Sequence, residues 1–421
     1  MPPSEVDYLV LSHAHIDHSG RIPKFVKDGF QGKILCTHAT MSLASIMLMD
    51  SAFIQETEVE QWNRRQRKKN PRFNDFRVPL YTIEDAQDCI DQFISIGYEQ
   101  WYHLDKNIQV FFRDAGHILG SASVTIKIKE GNEIRTIGFT GDIGRPNRPI
   151  LKDPIPMPKV EYLICESTYG DKLHGNAPEE MDKFLRIIKK TCVEKRGKLI
   201  IPAFSIGRTQ EIVYILDQME NEGVLPRIPI YVDSPLAVEA TDVYRSHPEC
   251  FDKDLHKYML KDPNPFGFRN LKYVSSVEES KSLNSNNNPC IIISASGMGN
   301  AGRVKHHLYN NLSHTKNTVL IVGYCSPETP GGQLRAGKKS LRMFGEEVLV
   351  NADVEIMDSF SAHGDQKEMH DFILNQRDSV RTLFLVHGEL ETQKGFKEYL
   401  NENGFSDIEI PQEGQEYTLY Q

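Results

Sequence analysis

Three histidines and an aspartate fall within six residues near the start of the chain, in His13-Ala14-His15-Ile16-Asp17-His18. Strand side chains alternate with period 2, which accounts for His13 and His15 but not for Asp17 and His18 directly after them. A polar turn is the plain alternative. Three imidazoles and a carboxylate this close would repel or titrate against one another unless a cation organised them, and imidazole nitrogen with carboxylate oxygen suits zinc. His117, Asp142, Glu166 and His387 supply further donors, enough for two metal ions. Singly, His117 or His387 reads as an ordinary polar loop residue; beside the first cluster, both become candidate ligands.

Something must carry these side chains to one place, and short apolar runs precede each of them. Val6–Leu11 leads to His13, Val110–Phe112 to Asp114-Ala115-Gly116-His117, and Thr136–Phe139 to Gly141-Asp142. Tyr162–Cys165 leads to Glu166, Val354–Met357 to Ser361-Ala362-His363, and Leu383–Val386 to His387-Gly388-Glu389. Their β-branched and aromatic content and their Gly or Ser boundaries predict strands. In layered α/β folds ligands bind at the carboxyl ends of strands, so six such placements predict one shared site.

At about 150 residues per domain, 421 residues give two or three domains. With 39 % hydrophobic and 25 % charged residues and no apolar stretch of about 20, the chain is predicted to be soluble and globular, neither disordered nor membrane-spanning. Its 49 basic and 58 acidic residues leave −9, so a polyanion would need a local basic patch. The seven cysteines are odd in number and form no CxxC pair. Without a basic and apolar leader at Met1-Pro2-Pro3-Ser4, they predict reduced thiols of a cytoplasmic protein.

The His13–His18 run, Gly116-His117, Gly141-Asp142 and Val386-His387-Gly388 together resemble the motif set of the metallo-β-lactamase superfamily. Cys165-Glu166-Ser167-Thr168-Tyr169-Gly170, Ser359-Phe360-Ser361-Ala362-His363 and Leu385-Val386-His387-Gly388-Glu389 resemble motifs A, B and C of its β-CASP nucleases. Ile201–Glu211, Asp233-Ser234-Pro235-Leu236-Ala237 and Ser294-Ala295-Ser296-Gly297-Met298 are similar to bacterial and archaeal members. The resemblance implies one metal on His13, His15 and His117, a second on Asp17, His18 and His387, and Asp142 bridging them. It also implies an α/β fold, an αββα core from residues 1–170 and 343–421 with a β-CASP α/β domain inserted at 171–342. The polar joint Asp171–Ala177 and the apolar runs Lys198–Ile201, Ile228–Val232, Ile291–Ser294 and Thr318–Val322 support that insertion independently. In one respect the sequence departs from the family, whose members carry several strands before the first histidine motif. Only 12 residues precede His13 here. Either the record is truncated or a sheet edge is uncovered, which invites aggregation or pairing with a second chain, a homodimer among the options.

The activity implied by the resemblance is zinc-dependent hydrolysis of single-stranded RNA, by endonuclease or 5′-exonuclease action. Two zinc ions can activate water and polarise a phosphoryl oxygen. Glu166 would accept or relay a proton, or simply buttress a ligand, and His363 would protonate the leaving oxygen with Glu166 orienting it. Ser296-Gly297-Met298-Gly299, ahead of a helix bearing His306-His307, predicts free N–H groups for phosphate without the spacing of a Walker loop. Ser205 and Arg208 are further phosphate candidates, although Arg208 fits a structural ion pair as well. Arg64-Arg65-Gln66-Arg67-Lys68-Lys69 reads either as a solvated helix face or as an RNA contact. Two rivals share some of these features: a hydrolase of a small thioester, lactone or β-lactam, and a non-catalytic RNA-processing scaffold. The first has no use for a large insertion, and the second would be expected to have lost ligands.

Overall fold

The computed structural model describes residues 1–174, 178–323, 325–357 and 361–419. Ser359 and Phe360 of the expected motif, and the end of the expected joint at residues 175–177, lie outside the described residues. The chain forms two compact units, Met1–Lys172 with His363–Gln421, and Leu173–Ala362.

The first unit is built on two sheets. One is a parallel set of Tyr8–Val10, Lys33–Thr37 and Phe93–Ile96, with Tyr8–Val10 at an edge. The other has seven strands, in the order Ile408–Glu409, Thr382–Val386, Tyr162–Glu166, Glu133–Phe139, Ala122–Glu130, Ile108–Asp114 and Trp101–His103. Leu35 and Ile96 of the smaller sheet share a buried cluster with Val110, Phe112, Ala122 and Val124 of the larger, so the sheets pack face to face. Helices Gln366–Ile373 and Leu390–Glu402 place Met369, Phe372, Phe396 and Leu400 against Leu163 and Leu385 on the outer face of the large sheet. The helix His38–Lys69 contacts the small sheet, completing an αββα arrangement. Its start is fixed by Thr37, whose hydroxyl accepts from the Thr40 N–H at 3.2 Å.

The second unit contains a parallel sheet of six strands, in the order Leu271–Tyr273, Ile230–Val232, Cys290–Ser294, Lys198–Pro202, Thr318–Ile321 and Asp353–Ile356. Its central strands are buried at every position, the pattern of a parallel sheet covered on both faces, which is why they read as continuous apolar runs. Asp353–Ile356 pairs with Thr318–Ile321, so this strand belongs to the second unit. That pairing also changes the expectation of six strands leading to one edge. Five of the six belong to the first unit, whereas the strand before His363 belongs to the second and His363 itself to the first.

Candidate metal centre

The two sheets of the first unit deliver their donors to one place. His13, His15, Asp17 and His18 follow the edge strand Tyr8–Val10, while His117, Asp142, Glu166 and His387 come from the ends of four strands of the large sheet. Tight turns make this possible. Gly116 and Gly141 have φ of +63° and +58°, and a Cβ on Gly141 would lie 2.8 Å from the Ala122 carbonyl oxygen. His387 also takes a left-handed conformation, at φ 52° directly after its strand.

One donor atom from each of His13, His15, His117 and Asp142 lies within 4.8 Å of the others, and the same holds for Asp17, His18 and His387. Asp142 faces both groups. Its Oδ2 is 3.3 Å from His13 Nε2 and 3.4 Å from His117 Nε2, while its Oδ1 is 3.4 Å from His18 Nε2 and 3.7 Å from His387 Nδ1. His387 Nε2 is 3.3 Å from Asp17 Oδ2, and His117 Nε2 is 3.1 Å from His15 Nδ1.

The buried atoms His13 Nε2, His18 Nε2 and Asp142 Oδ1 have no hydrogen-bond partner among the described residues. Buried polar atoms are ordinarily satisfied, so three orphans aimed at one another fit a site built for cations. The charge states agree. Burial holds His13 and His117 below their usual pKa and brings His15 down to about 3, so these imidazoles stay neutral, as ligation requires. Burial opposes ionisation of Asp142, yet His13 and His18 hold its carboxyl well below the usual carboxylate range.

Two hydroxyls missed by the sequence reading orient the rings. Ser12 Oγ is 3.1 Å from His13 Nδ1 and Thr168 Oγ1 is 2.9 Å from His387 Nδ1. Each lies beside a residue already singled out, but nothing in its type distinguished it. Glu166 is buried; Ile143 and Thr168 donate their N–H groups to it, and His363 Nδ1 lies 3.1 Å from its Oε2. A donor atom of Glu166 also groups with Asp142 and His387.

The candidate substrate residues are all in the second unit. Ser205 Oγ is 3.1 Å from Ser234 Oγ. Arg208 is buried with Nη1 on Glu211, the ion-pair arrangement. Ser296 Oγ donates to Asn300 Oδ1, and Gly297 packs under Phe204. The expected free N–H groups of this turn are partly spent: Ser296 donates to the Ala301 carbonyl at 3.3 Å and Gly299 to the Ser296 carbonyl at 3.1 Å.

Comparison with known proteins gives three family matches along the chain. The Metallo-beta-lactamase superfamily matches residues 1–180, the Beta-Casp domain 209–334, and the Zn-dependent metallo-hydrolase RNA specificity domain 347–411. Ribonuclease TTHA0252 of Thermus thermophilus is 33% identical over 389 residues, covering 92% of this chain and 83% of its own length. Transcription termination factor FttA of Methanosarcina mazei is 30% identical over 397 residues, 92% of this chain and 59% of its own length. FttA of Pyrococcus horikoshii is 31% identical over 393 residues, 91% of this chain and 57% of its own length. The chain thus spans less than two thirds of these termination factors.

Proposed function

Since the chain belongs to the β-CASP family of the metallo-β-lactamase superfamily, we propose that it is a zinc-dependent ribonuclease that hydrolyses phosphodiester bonds of single-stranded RNA. The observation that carries the reading is Asp142, which presents one carboxylate oxygen to each of two histidine groups. His13, His15 and His117 would hold one zinc ion, Asp17, His18 and His387 a second, with Asp142 between them. Two ions there supply Lewis acidity to a phosphoryl oxygen and make water nucleophilic at neutral pH.

The chain's own residues then do the following. Ser12 and Thr168 hold the rings of His13 and His387 in their inward orientation. As water oxygen bonds to phosphorus it gives up a proton to Glu166, the P–O bond to the leaving oxygen breaks, and His363 gives that oxygen a proton from Nε2, 4.0 Å from Asp142 Oδ2. Glu166 holds the opposite ring nitrogen. Ser205, Ser296 and Gly297 contact the substrate phosphates, with Arg208 bracing the helix Arg208–Asn221 through Glu211. Among the described residues no helix is long and apolar enough to cross a membrane. The seven cysteines are all buried, in keeping with the reduced thiols of a cytoplasmic protein.

The test is incubation of purified protein with 5′- and 3′-labelled RNA, with and without chelator. Cleavage that stops with chelator and returns with zinc is expected, and the two labels separate internal from 5′-end attack. Turnover of lactones or β-lactams with no action on RNA would replace this reading.

A further inference from the structure

The helix His38–Lys69 does two things at its two ends. Near its start, the Thr37 and Thr40 hydroxyls donate to the Gly120 carbonyl oxygen at 2.6 and 2.8 Å, three residues from His117, so it begins beside the metal centre. Arg64 lies 26 residues further on, roughly 39 Å along the axis at 1.5 Å per residue. The segment after the helix folds back onto this far end. Arg77 sits 4.0 Å from the centroid of Trp62 and Arg67 4.4 Å from that of Phe76, while the Asn63 side chain bonds both backbone groups of Arg77. Trp62, Phe73 and Phe76 form successive edge contacts at 5.7 and 5.6 Å.

This tip has its own charge. Residues 62–80 contain seven Arg or Lys and a single acid, Asp75, giving +6 in a chain whose total is −9 and leaving −15 on the rest. Arg64, Arg65, Lys68, Lys69 and Arg72 are exposed, and none of them forms an ion pair among the described residues. The helix dipole favours cations in the last turn, which covers Lys68 and Lys69 but not Arg64, Arg65 or Arg72. Arg64 with Lys68, and Arg65 with Lys69, are like charges at i,i+4 and destabilise the helix. Folding therefore does not account for the cluster, and a polyanionic ligand does. Exposed Phe76, in a groove lined also by Glu60, Asn63, Arg64 and Arg67, adds a stacking face beside the cations, the combination that suits a single nucleic-acid strand better than an acidic protein.

We propose that the tip of this helix and its returning segment form an RNA-docking arm that grips the phosphate backbone remote from the cleavage site. The proposal rests on RNA being the substrate. The strand must therefore bridge roughly 39 Å to engage both the arm and the start of the helix, which a long RNA does and one of a few nucleotides cannot.

The test uses the full chain carrying Arg64→Gln, Arg65→Gln, Lys68→Gln, Lys69→Gln and Arg72→Gln, with zinc content and circular dichroism matched to the parent. Fluorescence anisotropy would read binding of a 30-nucleotide and a 6-nucleotide RNA across salt. For the long RNA, affinity should fall about tenfold or more, and the slope of log K against log salt should flatten by up to about 3.5, at about 0.7 per lost phosphate contact. KM should rise on the long RNA with kcat unchanged, and the short RNA should be indifferent. A companion variant with Arg64→Lys, Arg65→Lys and Arg72→Lys should keep the parental slope. Unchanged slope and KM on the long RNA would overturn the proposal and point to an acidic protein partner, and equal weakening on both lengths would overturn the remote placement. If neither protein cuts RNA of any length, the ribonuclease reading fails, while the binding slopes still decide the arm.

Discussion

His363 Nδ1 lies 3.1 Å from Glu166 Oε2, so the ring is held by a buried carboxylate that is itself fixed by the Ile143 and Thr168 N–H groups. Burial alone would lower the pKa of His363, but Glu166 carries it above its ordinary value, favouring the protonated form a general acid requires.

His363→Ala should keep its zinc and its RNA affinity and cut RNA roughly 10²–10⁴-fold more slowly, the usual span of general acid–base catalysis. Glu166→Gln should lower kcat by a smaller factor with KM unchanged, because the acid remains but loses its orienting partner. A nitrophenyl phosphodiester, whose leaving group needs no proton, should restore most of the His363→Ala deficit. Parental rates on RNA would remove His363 from the chemistry.

Asp142→Ala should behave differently. Its two oxygens face separate histidine groups, so the variant should lose metal and activity together. Elemental analysis of the parental protein should find close to two equivalents of zinc. Retention of both equivalents by Asp142→Ala would show that the carboxylate is not the bridge.

The candidate donors were legible because their chemistry is written in residue type and spacing: His13, His15, Asp17 and His18 have no ordinary explanation as a strand or a turn, and apolar runs mark where the remaining candidates leave the sheets. What stayed hidden depends on partners distant in sequence. Thr168 is an ordinary threonine until the fold sets it against His387, 219 residues away. Arg208 reads equally well as a phosphate ligand or a structural cation until Glu211 is seen against it. The strand before His363 looked like the other five, and only its pairing with Thr318–Ile321 assigns it to the other unit.

The second unit contains a buried charge cluster whose removal should be costly. Asp233 accepts from Ser280 at 2.6 Å, lies 2.6 Å from His307 Nε2, and binds Arg303 Nη1 at 2.6 Å. Burial opposes its ionisation, but His307, Ser280 and Arg303 hold its pKa below the usual carboxylate value. Its stabilising contribution is therefore present above about pH 4 and lost as pH falls below that. Asp233→Ala strands its partners and should destabilise the protein by about 3–5 kcal/mol at neutral pH. A urea midpoint within experimental error of the parent would contradict that.

Asp217 presents the opposite sign. It is buried on the helix Arg208–Asn221, where Oδ2 accepts from the Tyr258 hydroxyl at 2.6 Å and Oδ1 has no hydrogen-bond partner among the described residues. Burial pushes its pKa up to about 6. An acid with a raised native pKa leaves stability unchanged below its unfolded value near 4, then destabilises progressively as pH rises through 6, and the penalty is complete above that. A two-unit shift caps the effect at about 3 kcal/mol, and screening near the helix surface reduces it to roughly 1–2 kcal/mol. Asp217→Asn keeps an acceptor for Tyr258 and removes the ionisation. Its urea midpoint should therefore exceed the parent's at pH 7.5, with most of that difference gone by pH 4.5, and the dependence on denaturant should be the same at both. Because every other titrating group is shared by both proteins, the difference between them isolates Asp217. A midpoint difference that stays constant from pH 4.5 to 7.5 would mean that some other property of the substitution is responsible and that this carboxyl is not the titrating group.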